Sequence, residues 1–213
     1  MVISMILHKI VHNLRVNCYI FYCPETMEGI IIDPGADAPG IARMAQENGV
    51  QIKKIVLTHG HVDHIGAAEP LRDLCRVPVA IHREDSPTLK DPYSNLSSFF
   101  NRPINLTADE LLGEGDILQV GNLTAKVIHT PGHTPGGICL ITEDGLFSGD
   151  TLFCEAIGRS DFPGGNGPDL VRSIKEKLMP LDGGLLVFPG HEGKTSIGYE
   201  RLYNPFLGNS FLF

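Results

Sequence analysis

The sequence predicts an α+β fold in which two β-sheets pack face to face with helices on their outer surfaces. Short strand-like runs fall in two blocks, and each block is followed by helical segments, a pattern unlike regular strand–helix alternation. The chain is 213 residues long and 42% hydrophobic, enough for a sizeable core, and we expect one domain spanning residues 1–213. It carries 24 glycines and 15 prolines, so tight turns are frequent.

Residues 1–9, 16–22 and 29–32 have strand character. Asp33-Pro34-Gly35 is a turn signal. Residues 38–48 place Ile41, Met44 and Ala45 at helical spacing, with Gly49 where a helix stops. A buried-type strand follows at 54–57, a helix at 66–75 and a strand at 77–81. The segment 91–107 is polar and holds two prolines, so it reads as a loop with a short helical piece, and Ser97-Ser98-Phe99-Phe100 is either an apolar wall over a cleft or a loop anchor. The second block of strands covers 117–120, 123–129, 137–141 and 145–147, joined by turns at Gly121-Asn122 and Glu143-Asp144-Gly145. Residues 168–178 form a helix with Pro168 in its first turn, 185–188 a last buried strand and 196–203 a last helix. The tail 206–213 is apolar and is expected to pack on its own domain.

Charge narrows the partners. Seventeen Lys and Arg against 25 Asp and Glu give a formal net charge of −8, which argues against a nucleic-acid backbone. No apolar run approaches the roughly 20 residues that cross a bilayer, so no membrane partner is expected. Five cysteines without framework spacing fit reduced thiols and a cytoplasmic setting. Cys18 and Cys139 read as core residues, and Cys154 as packing or pocket lining.

The chemistry concentrates in Thr58-His59-Gly60-His61-Val62-Asp63-His64, directly after a buried strand. Imidazole nitrogen and carboxylate oxygen on a rigid element are what a first-row divalent metal binds. Alternation puts His59 and His61 on one side of an extended turn, and Asp63 and His64 bend the other way as a helix begins. That divergence supports two neighbouring metal positions over one four-ligand cage. His133, Asp150 and His191 each follow a strand and a small turn-forming residue, and are candidates for the same site.

These residues resemble the metallo-β-lactamase superfamily, whose Thr-His-x-His-x-Asp-His signature stands at 58–64, with the separate His, Asp and His in the family's order. The resemblance runs from the Asn17-Cys18-Tyr19 strand to His191 and implies an αββα four-layer sandwich with the metal site at one edge. It implies that His59, His61 and His133 hold one ion, that Asp63, His64 and His191 hold a second, and that Asp150 bridges both. Within the superfamily the chain is similar to glyoxalase II-type hydrolases, especially their short bacterial form, through Gly149-Asp150-Thr151-Leu152-Phe153, Gly158-Arg159-Ser160-Asp161-Phe162 and Pro189-Gly190-His191-Glu192. Two departures bear on substrate. Twenty-two residues follow His191, too few for the C-terminal glutathione-binding helical domain of longer relatives, and Gly193 stands where those relatives often have tyrosine.

The implied activity is hydrolysis of a hydroxyacylglutathione-type thioester, or an ester, by a hydroxide bridging two divalent ions, zinc by expectation with iron or manganese as alternatives. Asp63 and Asp150 are the expected catalytic carboxylates. Arg159 is the candidate for a substrate carboxylate, with pairing to Asp161 as the alternative, and Lys194 is a second candidate. Glu192 is a candidate hydrogen-bond partner for a metal-ligating histidine. A persulfide dioxygenase with one iron on His59, His133 and Asp150 is the competing implication, supported by the Gly158–Phe162 stretch.

Overall fold

A computed structural model describes residues 4–11 and 13–208 of the chain. The first half runs β1 (Met5–Val11), β2 (Val16–Tyr22), β3 (Glu28–Ile32), α1 (Ala38–Glu47), β4 (Gln51–Val56), α2 (Val62–Ile65), α3 (Ala68–Cys75), β5 (Val79–His82), α4 (Ser86–Lys90) and β6 (Glu110–Leu112). The second half runs β7 (Ile117–Val120), β8 (Leu123–His129), β9 (Ile138–Ile141), β10 (Leu146–Gly149), β11 (Leu152–Phe153), β12 (Ala156–Ile157), α5 (Gly167–Ser173), β13 (Leu186–Pro189), β14 (Thr195–Ser196) and α6 (Ile197–Tyr203). The first sheet has the order β1-β2-β3-β4-β5-β6 and the second β14-β13-β10-β9-β8-β7, with β11 and β12 forming a separate hairpin. β1, β2 and β3 pair antiparallel, while β4, β5 and β6 add in parallel through helical crossovers.

The side-chain period of two in β2 shows why the sheets stack. Every residue of β2 is buried. Cys18, Ile20 and Tyr22 point away from the second sheet and pack with Ile41 and Ala45 of α1 and Leu71 of α3. Tyr19 and Phe21 point the other way and meet Val120, Val127, Leu140, Phe147 and Phe188 of the second sheet. On that sheet's outer face Cys139, Leu146 and Val187 lie under Leu170 of α5, Ile174 and Ile197 of α6. Three apolar layers therefore separate four layers of secondary structure, the αββα sandwich expected from the sequence. Phe147 is its hub, with ring centroids 5.3 Å from Tyr19, 5.8 Å from Phe21 and 5.2 Å from Phe188.

Caps follow the local chemistry. The Asp37 side chain accepts from Gly40 N at 3.1 Å at the start of α1. Asn166 does the same for Asp169 N at 3.1 Å, with Pro168 in the first turn of α5. α5 continues as a π-turn, Ile174–Leu178, so the helix expected over 168–178 is present with a change of pitch.

The helix expected over 66–75 is α3, which starts two residues later at Ala68 and is set off at 66–67 from a preceding short helix, α2. The break has a steric cause: a Cβ on Gly66 would stand 2.3 Å from Gly35 O, and one on Gly35 1.6 Å from Asp63 O. The Asp33–Gly35 turn thus presses backbone to backbone on the histidine-rich segment, and Ala67 N donates to Pro34 O there. The short elements α4, β6, β11, β12 and β14 lack a period long enough to read in advance. The loop expected over 91–107 contains one 3₁₀ turn, Ser97–Phe100. The strand expected over 1–9 is β1, whose residues 1–3 lie outside the described residues, as do 209–213 of the apolar tail; Leu207 packs on the outer cluster of the second sheet.

Candidate metal centre

The ends of β4, β8, β10 and β13 meet at one edge of the sandwich, and each carries donor residues just beyond its last pair. His59 and His61 follow β4, and Asp63 and His64 open α2. His133 follows β8, Asp150 follows β10 and His191 follows β13. All seven expected ligands come together. His59, His61 and His133 form one cluster, and Asp63, His64 and His191 a second. In the first, His133 Nε2 lies 2.9 Å from His61 Nδ1 and 3.3 Å from His59 Nε2. In the second, His191 Nε2 lies 3.4 Å from His64 Nε2 and 3.4 Å from Asp63 Oδ2. The Asp150 carboxylate stands between them: Oδ2 is 3.6 Å from His133 Nε2 and 3.5 Å from His191 Nε2, and Oδ1 is 3.3 Å from His64 Nε2.

The outer partners of the rings decide which nitrogens are bare. His133 Nδ1 faces the Arg159 carbonyl at 2.6 Å, and His191 Nδ1 faces the Leu14 carbonyl at 3.1 Å. A carbonyl only accepts, so both Nδ1 atoms carry the proton and both Nε2 atoms present lone pairs when the rings are neutral. Thr58 Oγ1 donates to Asp33 Oδ2 at 2.6 Å, which leaves it to accept from His59 Nδ1 at 3.1 Å. Asp33 Oδ2 also accepts from His64 Nδ1 at 3.0 Å. With the rings neutral, four Nε2 lone pairs therefore point inward, and they face each other in pairs, His59 with His133 and His64 with His191, with no proton to share. His61 Nε2 and Asp150 Oδ1 are buried without a hydrogen bond. Inward-facing neutral imidazoles, buried carboxylates and orphaned donor atoms fit divalent cations and fit no hydrogen-bonded polar core.

The electrostatics agree. Burial, then the charge of neighbouring His133, pushes His61 down to about 3, and burial likewise holds His59 well below the ordinary histidine range. Burial also works against charging His64, but Asp150, Asp33 and Asp63 outweigh it and hold its imidazole well above that range. His191, half-buried, is driven up to about 9 by Asp150 and Asp63 in spite of burial. Burial would raise Asp150, yet His64 and His191 hold its carboxyl well below the usual carboxylate range. His59 and His61 are thus kept neutral, and the second cluster draws protons onto His64 and His191 where a cation would otherwise balance its carboxylates.

Two buried acids absent from the expected set organise the loops. Asp33 accepts from Thr58 N at 2.8 Å besides its two side-chain donors. Asp85 accepts from Gly60 N at 2.8 Å, Thr134 Oγ1 at 2.8 Å and Gly136 N at 2.7 Å, tying the His59–His61 segment to the His133 loop. Asp33 sits at a strand end, as Asp150 does, and that position was its one available signal.

A cavity of about 1030 Å³ opens onto the two clusters. His61, Asp63, His133, Asp150 and His191 form its floor, and Phe99, Phe100, Phe153 and Phe162 give it apolar walls. The 97–100 segment is therefore a wall. Arg159 lines the cavity, its Nε and Nη2 bond Asp161 at 2.9 and 2.7 Å, and it stacks 4.3 Å over Phe162. Lys194 is not among the lining residues; its ammonium lies 4.9 Å over the Phe188 ring. Glu192 lines the cavity, while the ring partner of His191 is the Leu14 carbonyl. Cys154 does not line it.

This fold and this histidine–aspartate constellation define a class of metal-binding hydrolase. A family model for the metallo-β-lactamase superfamily matches residues 13–191, and the chain belongs to that superfamily. The hydroxyacylglutathione hydrolase GloC of Haemophilus influenzae is 36% identical over 199 residues, covering 91% of this chain and 93% of GloC. Among solved structures, the BLEG-1 B3 metallo-β-lactamase superposes with a TM-score of 0.90 at 39% identity, covering 95% of this chain and 99% of that one. TTHA1623 in a di-iron-bound form superposes with a TM-score of 0.84 at 31% identity, covering 94% and 100%. No helix among the described residues is long and apolar enough to cross a membrane.

Proposed function

We propose that the protein is a binuclear metal-dependent thioesterase that cleaves a hydroxyacylglutathione-type thioester. The carrying observation is the set of inward-facing lone pairs around Asp150, which supports His59, His61 and His133 as holders of one ion and Asp63, His64 and His191 as holders of another, with Asp150 shared. Two bound divalent ions supply Lewis acidity toward a carbonyl and lower the pKa of water toward neutrality. The chain's own residues do the rest. Asp63 and Asp150 are the floor carboxylates within reach of the imidazoles, and they set the charge of the site. The Leu14 and Arg159 carbonyls, Thr58 and Asp33 keep the ring protons on the outer side, so the donor atoms are aimed before any ligand arrives. Phe99, Phe100, Phe153 and Phe162 keep water from an acyl chain. Among the described residues that line the cavity there is no serine, threonine or cysteine, which supports water as the nucleophile. GloC among the relatives supports the thioester class. Zinc is the proposed metal; the di-iron form of TTHA1623 keeps iron in play.

A second reading, one iron on His59, His133 and Asp150 in a persulfide dioxygenase, draws on the placement of His133 Nε2 3.3 Å from His59 Nε2 and 3.6 Å from Asp150 Oδ2. Elemental analysis beside an assay with S-lactoylglutathione separates the two. Near two metal ions per chain with hydrolysis is the expected result. One iron per chain, no hydrolysis and oxygen uptake with glutathione persulfide would overturn the thioesterase reading.

A further inference from the structure

We propose that Arg15 is a specificity-determining residue of this cavity, the group that receives the carboxylate of an anionic thioester. The substrate class rests on the thioesterase reading; the placement of Arg15 does not. Arg15 lines the cavity wall from the turn between β1 and β2. Its side chain is exposed and forms no ion pair with any described carboxylate, whereas the other cavity arginine, Arg159, has its charge paired with Asp161 through Nε and Nη2. Glu192, which also lines the cavity, makes no ion pair among the described residues. An uncompensated guanidinium beside an apolar cavity suits a planar carboxylate better than a compensated one.

The turn is built against the site. Leu14, one residue before Arg15, gives its carbonyl to His191 Nδ1 at 3.1 Å. Two residues after it, Asn17 N donates to Gly190 O at 2.7 Å, and Asn17 Nδ2 donates to Pro189 O at 3.0 Å and Glu192 O at 2.9 Å. Arg15 is thereby held in fixed relation to the second cluster, as Arg159, whose carbonyl bonds His133, is to the first. The backbone carries a further mark. Arg15 has φ +58°, the left-handed region where glycine and asparagine are at ease and arginine is uncommon.

The test uses the full chain and the variants Arg15→Asn and Arg15→Lys. Asparagine tolerates the left-handed backbone, so the fold is not at risk. Calorimetry measures binding of S-methylglutathione and of its diethyl ester. The expected result is a wild-type preference for the acid of tenfold or more, lost in Arg15→Asn and partly kept in Arg15→Lys, with the thermal midpoint of Arg15→Asn no lower than wild type. Equal affinity of wild type and Arg15→Asn for the acid, a parallel loss for acid and ester, or no binding by wild type would each overturn the assignment. S-lactoylglutathione turnover, run alongside, separates the two readings. Selectivity carried by Arg15 without turnover removes the thioesterase reading alone, and turnover without that selectivity removes Arg15 alone.

Discussion

Asp33→Asn changes one atom and reaches the second cluster through His64. Asp33 Oδ1 accepts from Thr58 N at 2.8 Å, and Oδ2 from Thr58 Oγ1 at 2.6 Å and His64 Nδ1 at 3.0 Å, so the buried carboxylate meets three donors. An amide has one acceptor and one donor end. With its oxygen toward Thr58 N, its NH₂ faces His64 Nδ1, and the ring must move its proton to Nε2. The second cluster then loses a lone pair. With the amide turned over, the NH₂ confronts the Thr58 N–H and leaves a buried donor unpaired, at about 1–3 kcal/mol. Outer hydrogen-bond partners of this kind typically contribute about 10–100-fold to metal affinity. We expect Asp33→Asn to bind the second ion about 10–100-fold more weakly in a competitive chelator titration, to weaken binding of the first ion less, since His59 is reached only through Thr58 Oγ1, and to lose turnover at limiting metal. Wild-type affinity for both ions in this variant would refute the role assigned to Asp33 in fixing the His64 tautomer.

Asp150→Ala should abolish turnover and the second metal equivalent while the far-ultraviolet dichroism stays native, because Asp150 belongs to none of the three apolar layers; full activity would sink the shared-carboxylate assignment. Phe147→Ala should cost about 3–5 kcal/mol in urea unfolding, since it removes the ring on which Tyr19, Phe21 and Phe188 converge between the sheets; a loss under about 1 kcal/mol would mean the sheets repack. Burial, then neighbouring His129, holds His82 down at about 4, against about 6.5 for an unfolded chain. The unfolded state therefore binds more protons between those values, and this group's contribution to stability is intact above about 6.5 and falls as pH is lowered toward about 4. In His82→Phe, which keeps a ring stacked on His129, the fall in urea midpoint across that window should be shallower than in wild type; equal slopes would refute it.

Much of the site was legible because metal chemistry restricts residue type. The 58–64 segment and the small-residue-then-donor pattern at His133, Asp150 and His191 lie in the chain whatever it folds into. β2 was legible as a strand through its β-branched and aromatic residues, while alternation of buried and exposed residues is confined to β7 and β8. The break between α2 and α3 was not legible, because it depends on Gly35 and Gly66 meeting across the fold. Asp33 and Asp85 read as ordinary turn and loop acids until their donors, supplied by residues 25 or more positions away, were in place. Arg159 was the expected recognition residue because its loop lies near Asp150 in sequence; in the structure it lines the cavity while pairing with Asp161, the alternative the sequence also offered, and Arg15, far away in sequence, lines the same cavity. By itself the sequence determined the donor set and the layered class, because residue type and spacing are local properties. Which lone pairs face inward, which carbonyls hold the rings and which guanidinium is free were decided only in three dimensions, because each depends on a backbone group or a charge brought in from another strand.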